Sequence, residues 1–453
     1  MSETGIRDAR SLGAPKMALL GFQHMFAMFG ATVLVPVLTG LPVAATLLFA
    51  GLGTLLFHFL TNWQVPAFLG SSFAFLGGYA SVAALFGNDQ AVNWIPYAGV
   101  GVACAGILYV VLAALFRAFG ASRVMRYFPP IVTGPVIICI GLCLANSAIN
   151  NCEANWGIAV LAICIVVVCN IWGKGMIRII PILMGVVGSY VVAALFGQVD
   201  FSGVASAPWV GFPVQFENTV FSLARGCDGG KIVSAIVIMV PIALATMIEH
   251  IGDVCAISST VGQNFVADPG LHRTLLGDGL ATALAALFGA PANTTYGENT
   301  GVLALTKVYD PLVIRIAAGL AILFSFCPKF AALVSAMPTA TIGGVSLILY
   351  GMISAVGVRN VVENQVDFTK SRNIIIAALI MGLSLGINFS ATGAIVLGPV
   401  SLSGLAVGAL VGILLNAILP GNDYEFGQDL LGDTAVNFQQ GIERPTDKSK
   451  KKR

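Results

Sequence analysis

Apolar runs of roughly 20 residues, long enough to cross ~30 Å of hydrocarbon, recur along the whole chain and leave little of it for anything else. Punctuated by Pro, Gly and charge clusters, fourteen emerge: residues 17–38, 42–61, 66–86, 94–118, 128–146, 156–172, 177–197, 231–256, 272–289, 291–306, 311–329, 338–357, 372–389 and 402–419. Composition agrees, because a soluble domain is not 57% hydrophobic and 10% charged, and 52 glycines suit close helix packing. The expected fold is an all-α polytopic membrane protein of 14 transmembrane spans. Arg7, Arg10 and Lys16 precede the first run without the small-residue cleavage pattern of a signal peptide, so that span is expected to stay. The nine cysteines show no CxxC and no metal-ligand spacing, and read as small apolar packing residues; no metal or other cofactor is implied.

An even number of spans puts both termini on one side, and the basic residues choose it. The N-terminus, the loops after even-numbered spans and the KSKKKR tail hold 20 of the 23 Lys and Arg, whereas the opposite side keeps Arg225, Lys231 and Lys329. Both termini are therefore expected in the cytoplasm, with the 198–230 loop external. That loop separates two sets of seven spans that repeat one another. TLLFAGLGT from Thr46 matches TLLGDGLAT from Thr274, Gln23-His24 matches Glu249-His250, PAFLGSSFAF from Pro66 matches PANTTYGENT from Pro291, and FPPIVTG from Phe128 matches MPTATIG from Met337. Since seven is odd, the second set enters from the opposite face, which makes the halves inverted repeats of the kind transporters use.

Within this apolar chain, the stretch Pro291–Lys307 places Glu298 among small polar residues between two long apolar runs. Backbone that is irregular at membrane depth survives only where protein or a water-filled cavity satisfies it. An extramembrane turn with one exposed Glu is the bland alternative. The matching polar stretch, Gly70-Ser71-Ser72-Phe73, points to a second interrupted span facing Tyr296-Gly297-Glu298-Asn299 at mid-membrane, although Ser71-Ser72 alone would also suit helix back-bonding. Broken helix ends leave N–H groups that can hold a neutral polar ring. Seven ionisable residues fall inside the runs away from their ends: His24, His58, Glu249, His250, Asp253, Asp278 and Glu298. Glu249 and Asp253, four apart, share a helix face that should look at Glu298. Adjacent buried carboxylates can bind protons near neutral pH, which suits a proton-coupled carrier. Asp253 could instead be a polar helix contact. His24 and His250 read first as structural hydrogen-bonding groups, His58 as interfacial, and Asp278, between Gly277 and Gly279, as a packing position.

Glu298-Asn299-Thr300-Gly301 with Thr306-Lys307 resembles the signature [Q/E/P]-N-x-G-x4-T-[R/K/G] of the nucleobase–ascorbate transporter family (nucleobase:cation symporter 2). QHMFAMFGATVLVP, PAFLGSSFAF, DPGLHR, NTTYGEN and GGVSLILYG resemble its bacterial uracil permease branch over nearly the whole chain. The resemblance implies a core domain of spans 1–4 (17–118) and 8–11 (231–330). It also implies a gate domain of spans 5–7 (127–197) and 12–14 (338–419), with a cytoplasmic tail at 420–453. It implies proton symport by movement of core against gate in the bacterial cytoplasmic membrane, within a homodimer. Carried over by residue, Glu249 and Glu298 match the carboxylates that hold the base, Phe73 and Gly297 match positions whose backbone amides meet its carbonyls, and Tyr296 would line the pocket. Asp253, Glu249 and Glu298 become the proton-coupling candidates, with Gln23, His24, His250, Ser72 and Asn299 in support. One departure is that the branch reads E-H-x-G-H where this chain has Glu249-His250-Ile251-Gly252-Asp253; Asp there resembles purine carriers. The expectation is uracil uptake with a proton, the alternative a purine such as xanthine or uric acid. An anion transporter or channel of the same fold would want a basic residue in span 10, where there is none, and a membrane enzyme would want a metal set or a nucleophile–base pair, for which no HExxH motif is present.

Overall fold

Residues 5–87, 92–174, 176–397 and 400–421 are described by the structure, a computed structural model. The expected tail lies outside them from residue 422. The chain is mostly helical. Its first half runs α1 (Ala14–Thr39), α2 (Val43–Leu60), β1 (Leu69–Ser71), α3 (Leu76–Ala84), α4 (Ile95–Phe119), α5 (Ala121–Met125), α6 (Pro130–Cys152), α7 (Trp156–Ile171), α8 (Met176–Ile179) and α9 (Pro181–Leu195). After α10 (Ser202–Ser206) come α11 (Gly229–Met239), α12 (Ile242–Val261), α13 (Leu271–Leu287), β2 (Asn293–Thr295), α14 (Gly297–Thr306), α15 (Pro311–Ser325) and α16 (Pro328–Ser335). α17 (Thr339–Glu363), α18 (Ser371–Asn388), β3 (Ala394–Leu397), β4 (Val400–Ser403) and α19 (Gly404–Ile418) complete it.

Each apolar run expected from the sequence coincides with one of these helices, with α11 and α12 in succession, or with a strand followed by a helix. Among the described residues seven helical stretches are long and apolar enough to cross a membrane, and the pair α15–α16, bent by 89°, makes an eighth. α7, α9, α19 and the stretch Phe73–Ala84 are apolar but only 10–17 residues long. Local chemistry sets several ends. Pro occupies the first turn of α1, α4, α6, α9 and α15, where its missing N–H costs nothing. Asn155, Asp228 and Asp310 cap α7, α11 and α15 through their side chains, and left-handed Gly40 and Gly262 end α1 and α12.

The helices pack in two groups. α4 lies along α13 and α11, α2 along α15 and α13, and α1 along α15; separately, α6 lies along α17 and α18, α7 along α9 and α17, and α18 along α19. α12 touches both groups, meeting α14 on one side and α6 and α19 on the other.

β1 and β2 cross in the middle of the first group. They pair antiparallel as Leu69↔Thr295, Gly70↔Thr294 and Ser71↔Asn293, and Ser72 N–H to Ala292 O (2.8 Å) and Tyr296 N–H to Phe68 O (3.0 Å) extend the ladder. Two isolated three-residue strands leave outer backbone groups unpaired, which buried backbone does not tolerate. Neighbouring helices supply the partners. Thr54 of α2 accepts from Leu69 N–H (2.9 Å), and Thr282 of α13 donates to Asn293 O (2.9 Å). These two threonines end the matching TLLFAGLGT and TLLGDGLAT segments, so corresponding places in the halves support corresponding strands. Asn293 Nδ2 donates to Phe49 O (3.1 Å), and the Tyr79 hydroxyl accepts from Ala292 N–H (2.8 Å). His58 belongs to the same scaffold. The sequence placed it at the membrane interface, but it is fully buried with Nε2 2.9 Å from Ala67 O, because the extended segment before β1 folds back under α2 and offers that carbonyl a partner.

Candidate functional site

β2 delivers Glu298 into the first turn of α14. The β-branched pair Thr294-Thr295 favours the extended segment, Tyr296 is its last extended residue (φ −112°, ψ 120°), and Gly297 opens the helix. The extended part is therefore Asn293–Thr295. It lies upstream of the tetrad singled out in the sequence, and Gly297-Glu298-Asn299 are already helical. Likewise Ser72 is extended (φ −81°, ψ 125°), and Phe73 begins the 3-10 turn leading into α3. Both helices thus start beside the strand crossing, and their first N–H groups have no carbonyl four residues back.

A cavity of about 320 Å³ opens there. Glu249, Asp253, Glu298, Phe73, Tyr296 and Gly297 all line it, so the carboxylates that the sequence paired on one face of α12 share a space with the carboxylate of α14. Among the buried side-chain atoms left without a hydrogen-bond partner are Glu249 Oε2 and Thr294 Oγ1, both on residues of this lining, and Ser72 Oγ beside Phe73. Unpaired buried polar atoms are rare enough in folded proteins to mark where a ligand's groups belong. A Cβ built on Gly297 would meet nothing nearer than Asp253 Oδ1 at 3.9 Å, so this glycine leaves its amide open to the cavity.

Behind the lining, hydrogen bonds fix the walls. The Tyr296 hydroxyl donates to Ser71 O (2.8 Å), and Ser71 Oγ donates to Thr32 O of α1 (2.8 Å). Asn299 donates through Nδ2 to His24 O (3.1 Å), with His24 Nδ1 at 3.2 Å, tying α14 to α1. His24 and Asn299 are buried and stand behind the cavity rather than in it, as does Gln23, whose Oε1 is buried without a partner.

Two partnerships escaped the sequence reading. Thr295 Oγ1 donates to Asp253 Oδ2 (2.8 Å), orienting that carboxylate. Asp278, taken for a packing position, lies with Oδ2 3.1 Å from His250 Nδ1, both fully buried, and His250 Nδ1 is 3.5 Å from Thr295 Oγ1. A chain of groups, Asp278–His250–Thr295–Asp253, thus joins α13, α12 and β2. The available signal was the internal repeat, which aligns Asp278 with Ala50: an acid where the other half has a methyl is not there to fill space. Also unforeseen is the opposite wall, formed by Thr133 and Ile137 of α6, by α17 from Leu349 to Glu363 and by Asn364, which caps it.

Chemically, the site offers carboxylate acceptors, helix-start N–H donors and an aromatic wall, with Phe73 edge-on to Tyr350 (centroids 5.7 Å apart). That set complements a small, flat, neutral molecule bearing both N–H and C=O groups.

Residues 15–393 match the Permease family (Xan_ur_permease). Uracil permeases of Bacillus caldolyticus and Bacillus subtilis (strain 168) are 41% and 40% identical, the alignments covering 92% and 88% of this chain and 94% and 91% of those proteins. A putative pyrimidine permease of Escherichia coli (strain K12) is 38% identical over 89% of each chain. Among solved structures, the transmembrane domain of a cyanobacterium bicarbonate transporter, BicA, superposes with TM-score 0.59 at 14% identity, covering 91% of this chain and 99% of that one. SLC26A9 superposes with TM-score 0.63 at 12% identity, covering 91% and 66%. At such identities the likeness is one of fold.

Proposed function

From the premise that the chain belongs to the Permease family, the nucleobase–ascorbate transporters that its signature resembled, and is a membrane transporter rather than an enzyme, we propose that it imports uracil together with protons across the bacterial cytoplasmic membrane. The observation that carries this reading is the convergence of Glu249, Asp253 and Glu298 with the helix starts at Phe73 and Gly297 around one cavity. Uracil presents two ring N–H donors beside carbonyl acceptors. Glu249 and Glu298 accept the former, and the amides of Phe73 and Gly297 meet the latter, so an analogue lacking either leaves buried groups unpaired. An anion would meet three carboxylates.

Asp253, oriented by Thr295, is the coupling group in this reading: it takes a proton with the base on one side and gives it up on the other. Fourteen spans in two inverted sets, with the β1 and β2 segments interrupting the third and tenth at mid-membrane, account for the paired threonine supports and the strand crossing. α1–α4 with α11–α15 form the moving core and α6, α7, α9 and α17–α19 the gate, a division the helix packing supports. The cavity runs between α12 and α17 toward the C-terminal ends of both helices, where the chain turns back past Arg273 in the first turn of α13, and past Lys370 and Arg372 at the start of α18. By the distribution of basic residues that side is cytoplasmic, which makes the core inward-open in this reading, and a homodimer is the assembly the family resemblance implies. A purine such as xanthine is the second reading, favoured by Asp253 standing where the uracil branch has His.

Radiolabelled uracil uptake into proteoliposomes, with and without an imposed pH gradient, tests the proposal. Accumulation that follows the gradient and is competed by uracil over xanthine supports it. Gradient-independent uptake removes the proton, and preference for xanthine removes uracil.

A further inference from the structure

The cavity is longer than the carboxylate site needs, and its far wall is polar in a particular way. The side formed by α17 and its capping residue runs from Leu349 to Asn364, about 22 Å at 1.5 Å per residue. Phe73 touches Tyr350, so this level of α17 faces the carboxylates, while Asn360 lies ten residues on, about 15 Å along the axis. There Thr133 Oγ1 donates to Asn360 Oδ1 (3.2 Å) and Asn364 Nδ2 donates to Asn360 O (2.6 Å). The second bond fixes which way the Asn364 carboxamide faces, since a flipped amide would set oxygen against oxygen. Asn364 Oδ1 is left buried without a partner, on a residue that lines the cavity. The first bond uses the Asn360 oxygen and leaves its NH2 edge as a donor. The two residues are four apart, on one helix face.

We propose that Thr133, Asn360 and Asn364 form a second, weaker subsite for the transported base, between the carboxylates and the mouth. The inference rests on the nucleobase reading above. The ligand class is a ring lactam, whose adjacent N–H and C=O match the Asn364 acceptor and the Asn360 donor; pyrimidine and 6-oxopurine bases both carry that edge. Neutral amides make weaker hydrogen bonds than carboxylates, so the base is held there briefly after leaving Glu249 and Glu298. Charge is already neutralised at this level, because Arg359 donates to Glu363 one turn away on the same helix.

The wall is also rigid, as a subsite requires. α6 and α17 meet through glycines: a Cβ on Gly134 would strike Val361 Cγ2 at 2.3 Å, and one on Gly357 would strike Ile138 N at 2.6 Å. The close approach at Gly134 brings Thr133 against Asn360.

Equilibrium binding of radiolabelled uracil to the purified full chain tests this, with wild type, the double variant Asn360→Ala/Asn364→Ala, and Glu298→Gln. Wild type should show two classes of site, the second at least about tenfold weaker, as neutral amides replace charged acceptors. The double variant should keep the tight class, which also certifies its fold, and lose the weak one; uracil presented at the mouth side of inside-out vesicles should then show a KM raised several-fold with the outer KM unchanged. One class in wild type, or loss of both classes or neither in the double variant, overturns the subsite. Retention of the tight class in Glu298→Gln overturns the carboxylate assignment instead, so the two failures are distinguishable.

Discussion

Glu298 sits where a helix start, a cavity and two other carboxylates meet, and its removal from that set is the most direct test of the site. Glu298→Gln keeps the shape but loses the charged acceptor. Uracil binding should weaken by at least ~1.5 kcal/mol, roughly tenfold in Kd, as for a hydrogen bond to a charged group. Unchanged affinity by equilibrium binding would refute the assignment. Asp253 has a different expected signature, because in the proposed reading it couples rather than holds. Asp253→Asn should leave binding largely intact, abolish uphill uptake driven by a pH gradient and spare counterflow exchange, which needs no net proton movement. A variant that still concentrates uracil with wild-type dependence on the gradient would make Asp253 a structural contact. These acids could be found in the sequence because an acid inside an apolar run is conspicuous. Their partners could not, since Thr295 and His250 reach Asp253 and Asp278 only once a strand, α12 and α13 are brought together.

At the scale of elements, the strand crossing holds both helix starts in place, and its tolerance of change is uneven. Gly70 faces the Tyr296 ring: a Cβ there would lie 2.5 Å from it and 2.7 Å from Thr32 Oγ1. Gly301, in the signature itself, has nothing within 4 Å of such a Cβ. Gly70→Ala should therefore abolish uracil binding by displacing Tyr296, whereas Gly301→Ala should be nearly silent; equal effects in the same binding assay would mean that the crossing does not position the site. Thr282→Val should strand the buried carbonyl of Asn293. The loss is about 1–3 kcal/mol, visible as a lower thermal midpoint in detergent, and an unchanged midpoint would show that the carbonyl finds another partner.

Across the whole molecule, transport by moving one helix group against the other requires α12 to slide along the α6–α17 wall. Ala256 of α12 and Val356 of α17 line opposite sides of the cavity. Cysteines placed at both and bridged by a bifunctional reagent should arrest uptake while Glu298-dependent binding persists; full uptake in the bridged protein would count against the two-body division. The orientation is checked separately. A reporter at the C-terminus should be protected from external protease in intact cells, while a tag inserted in the 198–230 loop is cleaved.

Hydropathy and charge order were enough to place each helix-bearing run and to single out Glu249, Asp253 and Glu298. All of these depend on local composition or on residues four apart in one helix, which a linear chain displays directly. Tertiary structure alone decided that His58 is buried beneath the segment before β1, that Asp278 pairs with His250, and that Thr54 and Thr282 support matching strands. It alone also decided that α6 and α17 supply the cavity's second wall. The reason is sequence separation. Asn364 and Glu249 line one cavity although 115 residues divide them. No periodicity reaches that far, and only the packing of two helix groups around α12 brings their polar atoms to a common space.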